Sequence, residues 1–286
     1  MKDKIVLITG GSSGIGKATA IALAKQGATI LFVSRHEQRG QQALQDIKTH
    51  SQSSAVYFFC YDLSLMANVR RLAQEIKSKY DRIDVLINNA GILPGKHTLT
   101  PEGLELCWAT NYLAGFLITQ LLMDLLLQSA NGRIINVSSE AHRLGQLDLD
   151  KAASPENYAS FTAYCDSKFA NILFTYELSR RLELTNLTVN CLHPGVIASN
   201  FGSTAFGMLK WLFRLGRPFM KSAKQGALTV VYLAASAEVA GVTGKYFKNR
   251  KAVKSGKQTY STHLARQLWK LSEEQTGLES EVEEGK

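Results

Sequence analysis

The chain has 286 residues, of which 45% are hydrophobic and 20% are charged, with a formal net charge of +9. This length and apolar content can form a sizeable core, which excludes a disordered chain and a small disulfide-stapled fold. The longest apolar stretch, residues 113–127, contains Gln120 and Asp124. Because it is shorter than the roughly 20 apolar residues that a transmembrane helix needs, it predicts a core helix.

Short apolar runs alternate with amphipathic stretches, which is typical of strands alternating with helices. The runs predict strands at residues 5–8, 30–34, 55–61, 83–88, 133–138, 187–193 and 244–247. The amphipathic stretches predict helices at residues 18–25, 37–50, 65–79, 101–128, 161–184 and 223–235, with Thr100 capping the fourth. This order predicts an α/β fold with a doubly wound parallel sheet (a Rossmann fold) of about seven strands. Residues 1–270 are expected to form a single domain, and residues 277–286 an acidic disordered tail.

A glycine-rich turn, TGGSSGIG at residues 9–16, lies between the first predicted strand and the first predicted helix. Glycine at positions 10, 14 and 16 allows a tight turn and a close approach of a ligand to the backbone. The following helix presents free N–H groups and a positive dipole end to a phosphate. The turn therefore indicates a nucleotide site, although tight helix packing alone also explains such a spacing.

Tyr164 and Lys168 are four residues apart on a predicted helix, so their side chains share one face. A phenol has an ordinary pKa of about 10, and a nearby ammonium lowers that pKa, so the pair can exchange a proton with an alcohol or carbonyl oxygen. An isolated pair is also explained by a surface tyrosine packed on a lysine stem. The context favours chemistry, because Ser138 and Ser139 end the fifth strand, where a hydroxyl can hold that oxygen. Asn111 is an amide in an apolar stretch and needs a hydrogen-bonding reason to be there.

Seven motifs occur along nearly the whole chain in the order of one enzyme family: TGGSSGIG (9–16), Asp62-Leu63, NNAG (88–91), Asn111, NVSS (136–139), YCDSK (164–168) and HPG (193–195). In this order they resemble the short-chain dehydrogenase/reductase family. The TGxxxGxG spacing is similar to that of the compact branch rather than the extended epimerase/dehydratase branch. The stretches AYCDSKFANILFTYELSRRL, LHPGV and ARQLWKLSEEQTGL further resemble the retinol-dehydrogenase-like group.

The resemblance implies a catalytic set of four residues. Tyr164 is the implied acid/base, and Lys168 lowers the pKa of that phenol and grips the nicotinamide ribose. Ser139, rather than Ser138, orients the substrate oxygen, and Asn111 holds a water relay to Lys168. Residues 140–160 resemble an insertion beside the active site.

Cofactor choice depends on the residues after the second strand. An acidic side chain there would accept hydrogen bonds from the adenosine ribose and repel a 2′-phosphate. This chain instead has Ser34 and Arg35, with Arg39 one helical turn on and Lys17 after the glycine-rich turn. A guanidinium offers a planar fork to phosphate, so NADP is expected rather than NAD; the alternative is an Arg35 that is merely solvated beside Glu37. The expected cofactor-binding residues are Gly10, Ser12, Ser13, Gly14, Ile15, Gly16, Ser34, Arg35, Arg39, Asp62, Leu63, Asn89, Ala90, Gly91, Tyr164, Lys168, Pro194, Gly195, Val196 and Ser199.

Basic residues are concentrated near the C-terminal end, with 13 in residues 201–270 against one acidic residue. The family resemblance places a substrate lid at about residues 199–224. Within it, residues 206–224 interleave cations with apolar side chains, which also fits peripheral docking on anionic lipid or an ordinary lid with a solvated outer stripe. Nucleic-acid binding is not expected, because no recognised motif is present.

The four cysteines form no CxxC motif and lie in apolar runs, and no two histidines have ligand spacing. We therefore expect reduced thiols in a cytoplasmic protein, and no metal site.

The predicted function is an NADP(H)-dependent short-chain alcohol dehydrogenase or carbonyl reductase that interconverts an apolar, retinol-like alcohol and its aldehyde or ketone. The alternatives are an isomerase or lyase on the same scaffold and a non-catalytic nucleotide-binding module. A homo-oligomer is compatible with the sequence.

Overall fold

The computed structural model describes residues 1–149, 158–196 and 221–278. Within these residues, eight strands form one sheet in the order β3-β2-β1-β4-β5-β6-β7-β8. The strands are β1 (Ile5–Thr9), β2 (Thr29–Ser34), β3 (Val56–Cys60), β4 (Val85–Asn88), β5 (Arg133–Val137), β6 (Thr188–His193), β7 (Lys245–Lys248) and β8 (Lys251–Val253). The first seven strands pair in parallel, and β8 pairs with β7 in the antiparallel sense.

Helices cover both faces of the sheet. They are α1 (Gly14–Ala24), α2 (Glu37–Ser51), α3 (Met66–Lys77), α4 (Leu106–Trp108), α5 (Ala114–Leu121), α6 (Met123–Leu127), α7 (Ser160–Arg181), α8 (Ala223–Ala235) and α9 (Thr262–Thr276). Alternate residues of β1 enter different cores, because successive strand side chains point to opposite faces. Val6 and Ile8 pack with α1, α2 and α8, whereas Leu7 packs with α3, α5, α7 and α9. The predicted doubly wound parallel sheet is confirmed.

The sheet has one strand more than the predicted count of about seven. The additional strand, β8, has only three residues, all of them exposed, and lacks the apolar run by which the other strands were predicted. A tight turn at Asn249 and Arg250, with φ angles of 51° and 64°, brings it back along β7. Two successive residues with positive φ are typical of the turns that match the twist of a β-hairpin.

The predicted continuous helix over residues 101–128 is wrong in its start and its continuity. It begins at α4, and Glu105 caps it instead of Thr100. The buried Glu105 carboxylate accepts hydrogen bonds from the amides of Cys107 at 2.9 Å and Trp108 at 2.7 Å. Two charge-assisted bonds to the first amides stabilise a helix start more than one threonine hydroxyl does.

Several predictions fall outside the described residues. These are Ser199, most of the lid at 199–224, most of the docking segment at 206–224 and most of the acidic tail at 277–286. They stay predictions, as do the domain boundaries. Across the part of the chain that the structure describes, no helix has both the length and the apolar character needed to cross a bilayer.

The cysteines differ in their surroundings. Cys107, Cys165 and Cys191 are buried, as expected, but Cys60 is exposed, so the expectation of apolar surroundings is wrong for that residue. Its position explains the difference, because Cys60 ends β3 and alternates with the buried Phe59.

A buried carboxylate holds together the opposite end of the sheet from the glycine-rich turn. Asp84, just before β4, is fully buried and accepts hydrogen bonds from Lys4 Nζ at 2.8 Å, the Ile5 amide at 2.9 Å, Arg82 Nε at 3.1 Å and Ser129 Oγ at 2.8 Å. Burial raises the pKa of this carboxyl, but the hydrogen bonds and the charge of Lys4 lower it overall. The ionised form is therefore the one that the fold stabilises.

We predict that Asp84→Ala lowers the free energy of unfolding by about 3–5 kcal/mol at neutral pH, because it leaves buried donors without their anion. The folded pKa lies below the ordinary value of about 3.9, so this contribution is present above about pH 4 and is lost as the pH falls through the folded pKa. Urea denaturation at pH 7 and near pH 3 measures both effects. The control is Asp124→Ala, since Asp124 forms an exposed 2.9 Å pair with Lys77 and should cost less than about 1 kcal/mol. Equal losses in the two variants would contradict the prediction.

Candidate active site

The described site residues gather at one edge of the sheet, because the carboxyl ends of parallel strands lie side by side. Thr9 ends β1, Ser34 ends β2, and Asn88 ends β4. Ser138 follows β5 and Pro194 follows β6 at the same edge. Ligands of doubly wound sheets bind in the crevice at this edge.

The glycine-rich turn lies directly against the residues that follow β4. Gly10 has a φ of 68°, and a Cβ there would come within 2.9 Å of the Ala90 Cα. A Cβ on Gly16 would lie 2.3 Å from the Gly10 carbonyl oxygen. Side chains at these positions would therefore force the turn away from β4 and from α1. Ser13, at the start of α1, makes no capping hydrogen bond through its side chain, so that side chain does not occupy the first amides of the helix, which are the groups that bind a phosphate at a helix start.

Thr9 ties the turn to the end of β4, and sequence analysis missed it. Its hydroxyl accepts hydrogen bonds from the amides of Asn89 at 2.9 Å and Ala90 at 3.0 Å. The Asn89 side-chain amide donates in return to the carbonyls of Thr9 at 2.8 Å and Gly10 at 3.1 Å. One sequence feature could have indicated this role: Thr9 is a polar residue at the last position of a buried strand, where it opens the TGGSSGIG motif.

The residues expected to discriminate between NADP and NAD lie after the carboxyl end of β2 and near the start of α1. The hydroxyls of Ser34 and Ser12 are hydrogen-bonded at 2.9 Å, and Arg35 is exposed, with its Nε donating to His36 Nε2 at 3.3 Å. Arg39, in the first turn of α2, is also exposed. Lys17 is not directed to the same place, because it forms an ion pair with Asp46 on α2. Of these three cations, Arg35 and Arg39 are exposed, whereas Lys17 is paired with a carboxylate.

The remaining expected cofactor positions line neighbouring strand ends. Asp62 follows β3, and its carboxylate accepts hydrogen bonds from the amide of Ser64 at 3.0 Å and from its hydroxyl at 2.8 Å, which shapes the turn beside the buried Leu63. On the other side of the crevice, the Val196 carbonyl accepts a hydrogen bond from the Lys221 amide at 2.8 Å. The chain therefore returns to the crevice at residue 221, next to the HPG motif.

Tyr164 and Lys168 project from one face of α7, as predicted. The Lys168 side chain is buried, its Nζ donates to the Val137 carbonyl at 3.0 Å, and it lies 5.7 Å from the centre of the Tyr164 ring. Burial lowers the pKa of this amine to about 8. Burial raises the pKa of the Tyr164 phenol, and a hydrogen bond from the Ser139 hydroxyl lowers it. Phenol, amine and hydroxyl thus form one compact group.

The two serines after β5 have different surroundings. Ser138 is buried, and its hydroxyl donates to the Lys168 carbonyl at 2.8 Å, so it fixes the backbone of α7. Ser139 is half-buried and faces the phenol, while its Oγ accepts a hydrogen bond from the Ala141 amide at 3.2 Å. The geometry separates a structural serine from one that can reach a substrate.

Two histidines hold the backbone around Ser139: His142, which sequence analysis missed, and His193, which opens the HPG motif. His142 is buried, with Nδ1 donating to the Ser139 carbonyl at 2.6 Å and Nε2 accepting from the Gly256 amide at 2.8 Å. His193 Nδ1 accepts from the Glu140 amide at 3.2 Å. Burial lowers the pKa of both rings, that of His193 to about 4, so both are neutral near pH 7. Scattered single histidines carry no spacing pattern, so the sequence could not reveal this role.

Asn111 lies in a π-helical turn, Ala109–Leu113, between α4 and α5. Its Oδ1 accepts from the Ile92 amide at 2.7 Å. A Cβ added to Gly91 would lie 3.5 Å from both Asn111 Oδ1 and Lys168 Nζ, so the asparagine and the lysine meet beside the NNAG turn. The structure thus brings all four residues of the implied catalytic set to one side of the crevice.

Comparison with known proteins bears on the family of this chain. The model of the short chain dehydrogenase family matches residues 4–208. The chain belongs to this family. Human retinol dehydrogenase 13 is 38% identical, over 97% of this chain and 86% of the relative, and human polyprenol dehydrogenase is 35% identical, over 96% and 86%. A short chain dehydrogenase from Shigella flexneri, solved in complex with NADP, has a TM-score of 0.71 and 27% identity, over 88% of this chain and 98% of that one.

These findings confirm the resemblance to the retinol-dehydrogenase-like group. As a short-chain dehydrogenase, the protein is an oxidoreductase with a Rossmann-type nucleotide-binding fold. The crevice fits a dinucleotide, since the close contacts at Gly10 and Gly16 and the α1 start form a cradle that side chains would fill.

We predict that Thr9→Val, which keeps the shape of the side chain, lowers the free energy of unfolding by about 1–3 kcal/mol, because two amides lose their acceptor. It should also weaken NADPH binding, since the turn is no longer held to the end of β4. Thermal unfolding and the change in NADPH fluorescence measure the two effects. Thr188→Val is a suitable control, because its hydroxyl makes a long 3.4 Å bond to Gly132 at the other end of the sheet. A Thr9→Val variant with unchanged NADPH affinity would contradict a role in shaping the nucleotide site.

Proposed function

We propose that this short-chain dehydrogenase is an NADP(H)-dependent enzyme that interconverts an apolar alcohol and its aldehyde or ketone. The observation that carries the proposal is the contact between the Tyr164 phenol and the Ser139 hydroxyl beside the buried Lys168 amine. A phenol held in this way can exchange a proton with a substrate oxygen, and a hydroxyl next to it can hold that oxygen in place.

Each residue has a distinct part in this mechanism. Tyr164 takes the proton of the alcohol during oxidation and returns it to the carbonyl oxygen during reduction. The charge of Lys168 favours the phenolate over the phenol, which opposes the raising of the Tyr164 pKa by burial. Ser139 donates to the substrate oxygen, and Asn111 helps to hold the lysine side of the site. The bound nicotinamide supplies or accepts the hydride.

The glycine-rich turn, the α1 start and the strand ends would hold the dinucleotide. Arg35 and Arg39 are exposed beside Ser34, where they can pair with a 2′-phosphate. The NADP complex of the Shigella flexneri relative supports the same choice. NAD lacks this phosphate and would leave both arginines without a partner in the cofactor.

An apolar substrate is supported by exposed apolar side chains on the segments that carry the site. Phe161, one turn before Tyr164 on α7, lies nearly parallel to the tyrosine ring at 6.5 Å and is 39% exposed. Leu144 and Val196, which follow the serine pair and the HPG motif, are also exposed apolar residues. Retinol and polyprenol, which two of the relatives are named for, are long apolar alcohols. We infer a substrate of this class, in a cytoplasmic protein that needs no metal or nucleic acid.

The alternatives differ in what they require of this site. An isomerase or lyase would not consume the nicotinamide cofactor, and a nucleotide-binding module would not need an acid/base residue. The TGxxxGxG spacing, together with the complete set of Asn111, Ser139, Tyr164 and Lys168, disfavours an isomerase or lyase. A non-catalytic module is disfavoured because neither Tyr164 nor Lys168 is lost. Peripheral membrane contact through residues 206–224 and a homo-oligomer stay predictions from the sequence.

We predict that Tyr164→Phe lowers turnover of an apolar alcohol by about 100- to 10,000-fold, because the proton acceptor is lost while the ring is kept. NADPH binding, followed by its fluorescence, should change little. Ser139→Ala should likewise lower kcat, whereas Ser138→Ala should mainly lower the thermal midpoint. Tyr57→Phe, at an exposed tyrosine on β3, is the matched control. Turnover within a few-fold of wild type in Tyr164→Phe would rule out this mechanism.

We predict that Arg35→Asp raises the KM for NADP by about 10- to 100-fold, which corresponds to losing a charge-assisted hydrogen bond, and improves the use of NAD. Steady-state kinetics with both nucleotides measure the switch. Arg71→Asp makes the same charge change at an exposed position on α3 and should leave both KM values unchanged. An unchanged preference for NADP in Arg35→Asp would show that another residue makes the choice.

A further inference from the structure

The carbonyl of Asn111 is held by a residue outside the implied catalytic set. In the π-helical turn Ala109–Leu113, the Ala114 amide bonds to the Ala109 carbonyl, five residues back. Such turns shift carbonyls out of the regular helical ladder and often occur at functional sites. The Asn111 carbonyl accepts a hydrogen bond from Asn171 Nδ2 at 3.0 Å. Asn171 is buried on α7, three residues after Lys168, so the two side chains share a helix face.

The Asn111 side chain depends on where this backbone is held. Its Nδ2 donates to the Ile92 carbonyl at 3.0 Å and to Ser167 Oγ at 3.1 Å, and its Oδ1 accepts from the Ile92 amide. Ser167 Oγ in turn donates to the Tyr164 carbonyl at 2.8 Å. A shift of Asn111 is therefore passed both to the NNAG turn beside Lys168 and to the backbone that carries the phenol.

Asn171 is itself fixed by buried polar groups. Its carbonyl accepts from Thr175 Oγ1 at 2.7 Å, and Thr175 Oγ1 accepts from Asn136 Nδ2 at 2.9 Å. Asn136 Oδ1 accepts from Asn88 Nδ2 at 2.9 Å. Asn136, Thr175 and Asn171 are all buried. A connected network of this kind orients its members more rigidly than isolated contacts do.

We propose that Asn171 is a positioning residue of the active site that acts through Asn111. By holding the Asn111 carbonyl, Asn171 fixes the separation between the π-helical turn and α7. At this separation Asn111, Lys168 and Tyr164 lie close together. The expected effect on kcat rests on the proposed function. The placement of the Tyr164 phenol does not, because it can be measured without turnover.

The other groups that influence the phenol do not titrate in the working range. Cys165 on α7 and Cys107 on α4 lie near Tyr164, and burial raises the pKa of both thiols, that of Cys165 to about 11. Lys168 is the cation beside the ring. A change in the ionisation of Tyr164 therefore reports on the burial of the phenol and on the placement of Ser139 and Lys168 beside it.

The test uses Asn171→Leu, which keeps a similar volume and removes the donor. Thr175→Val is a second and milder variant, since it removes one link of the network and keeps the side-chain shape. The control is Asn190→Leu, because Asn190 is a buried asparagine on β6 that bonds to the Val242 carbonyl at 2.6 Å and the Lys245 amide at 3.1 Å, away from the crevice. All three variants lose buried hydrogen bonds, so all three should have lower thermal midpoints.

Two readouts separate positioning from stability. The first is the pH dependence of kcat for oxidation of an apolar alcohol by NADP. Asn171→Leu should lower kcat by about 10- to 100-fold and move the acidic limb, along which activity rises as Tyr164 loses its proton, by about one pH unit to higher pH. Thr175→Val should move it in the same direction by less, and Asn190→Leu should leave it unchanged. The dissociation constant for NADPH should stay within about threefold of wild type in each variant. A tenfold increase, which corresponds to about 1.4 kcal/mol, would signal a lost contact with the cofactor.

The second readout is the ultraviolet absorbance change on ionisation of Tyr164. The titration of each protein is compared with that of the same protein carrying Tyr164→Phe, so that the difference between the two belongs to Tyr164. Asn171→Leu should raise the pH at which the phenol ionises. If the wild type turns over no apolar alcohol, the proposed function fails, but this titration still tests Asn171. A wild-type ionisation midpoint in Asn171→Leu, or the same displacement in Asn190→Leu, would overturn the inference.

Discussion

The burial of one amine beside one phenol is the constraint on which the rest of the site depends. Lys168 is removed from water and donates to the Val137 carbonyl, so its charge acts through a medium of low polarity. The same burial lowers the pKa of the amine to about 8 and raises the pKa of Tyr164. Burial therefore favours the neutral form of each group, and opposite charges at this distance would favour the charged form of both. This balance is sensitive to small changes in separation.

Much of the surrounding structure holds this pair in place. Ser138 fixes the carbonyl of Lys168, and His142 fixes the carbonyl of Ser139. Asn111 approaches from the π-helical turn, which Asn171 connects back to α7. These groups come from strands and helices that are far apart in the chain but end at one edge of the sheet. A doubly wound fold supplies such an edge because all its parallel strands point their carboxyl ends the same way.

Much of the fold followed from local pattern. The boundaries of α2 and α8 and of most strands agree with the prediction to within about two residues, because the alternation of apolar runs and helical stretches is a local pattern. The failures have physical causes. Glu105 caps the helix that Thr100 was expected to cap, since a buried carboxylate can bind two amides, and its burial is not visible in the sequence. Strand β8 is too short and too basic to show an apolar run.

The family, the kind of sheet and the residue types at the ends of its strands could be read from the amino-acid order alone, because they follow from short-range spacing and motif order. Only the tertiary structure separated Ser138 from Ser139, paired Lys17 with Asp46, and brought Thr9, His142 and Asn171 into contact with the site. Those contacts join residues on different strands, helices and turns, in most cases tens of residues apart. Their partners are chosen by packing and burial, which no local pattern encodes.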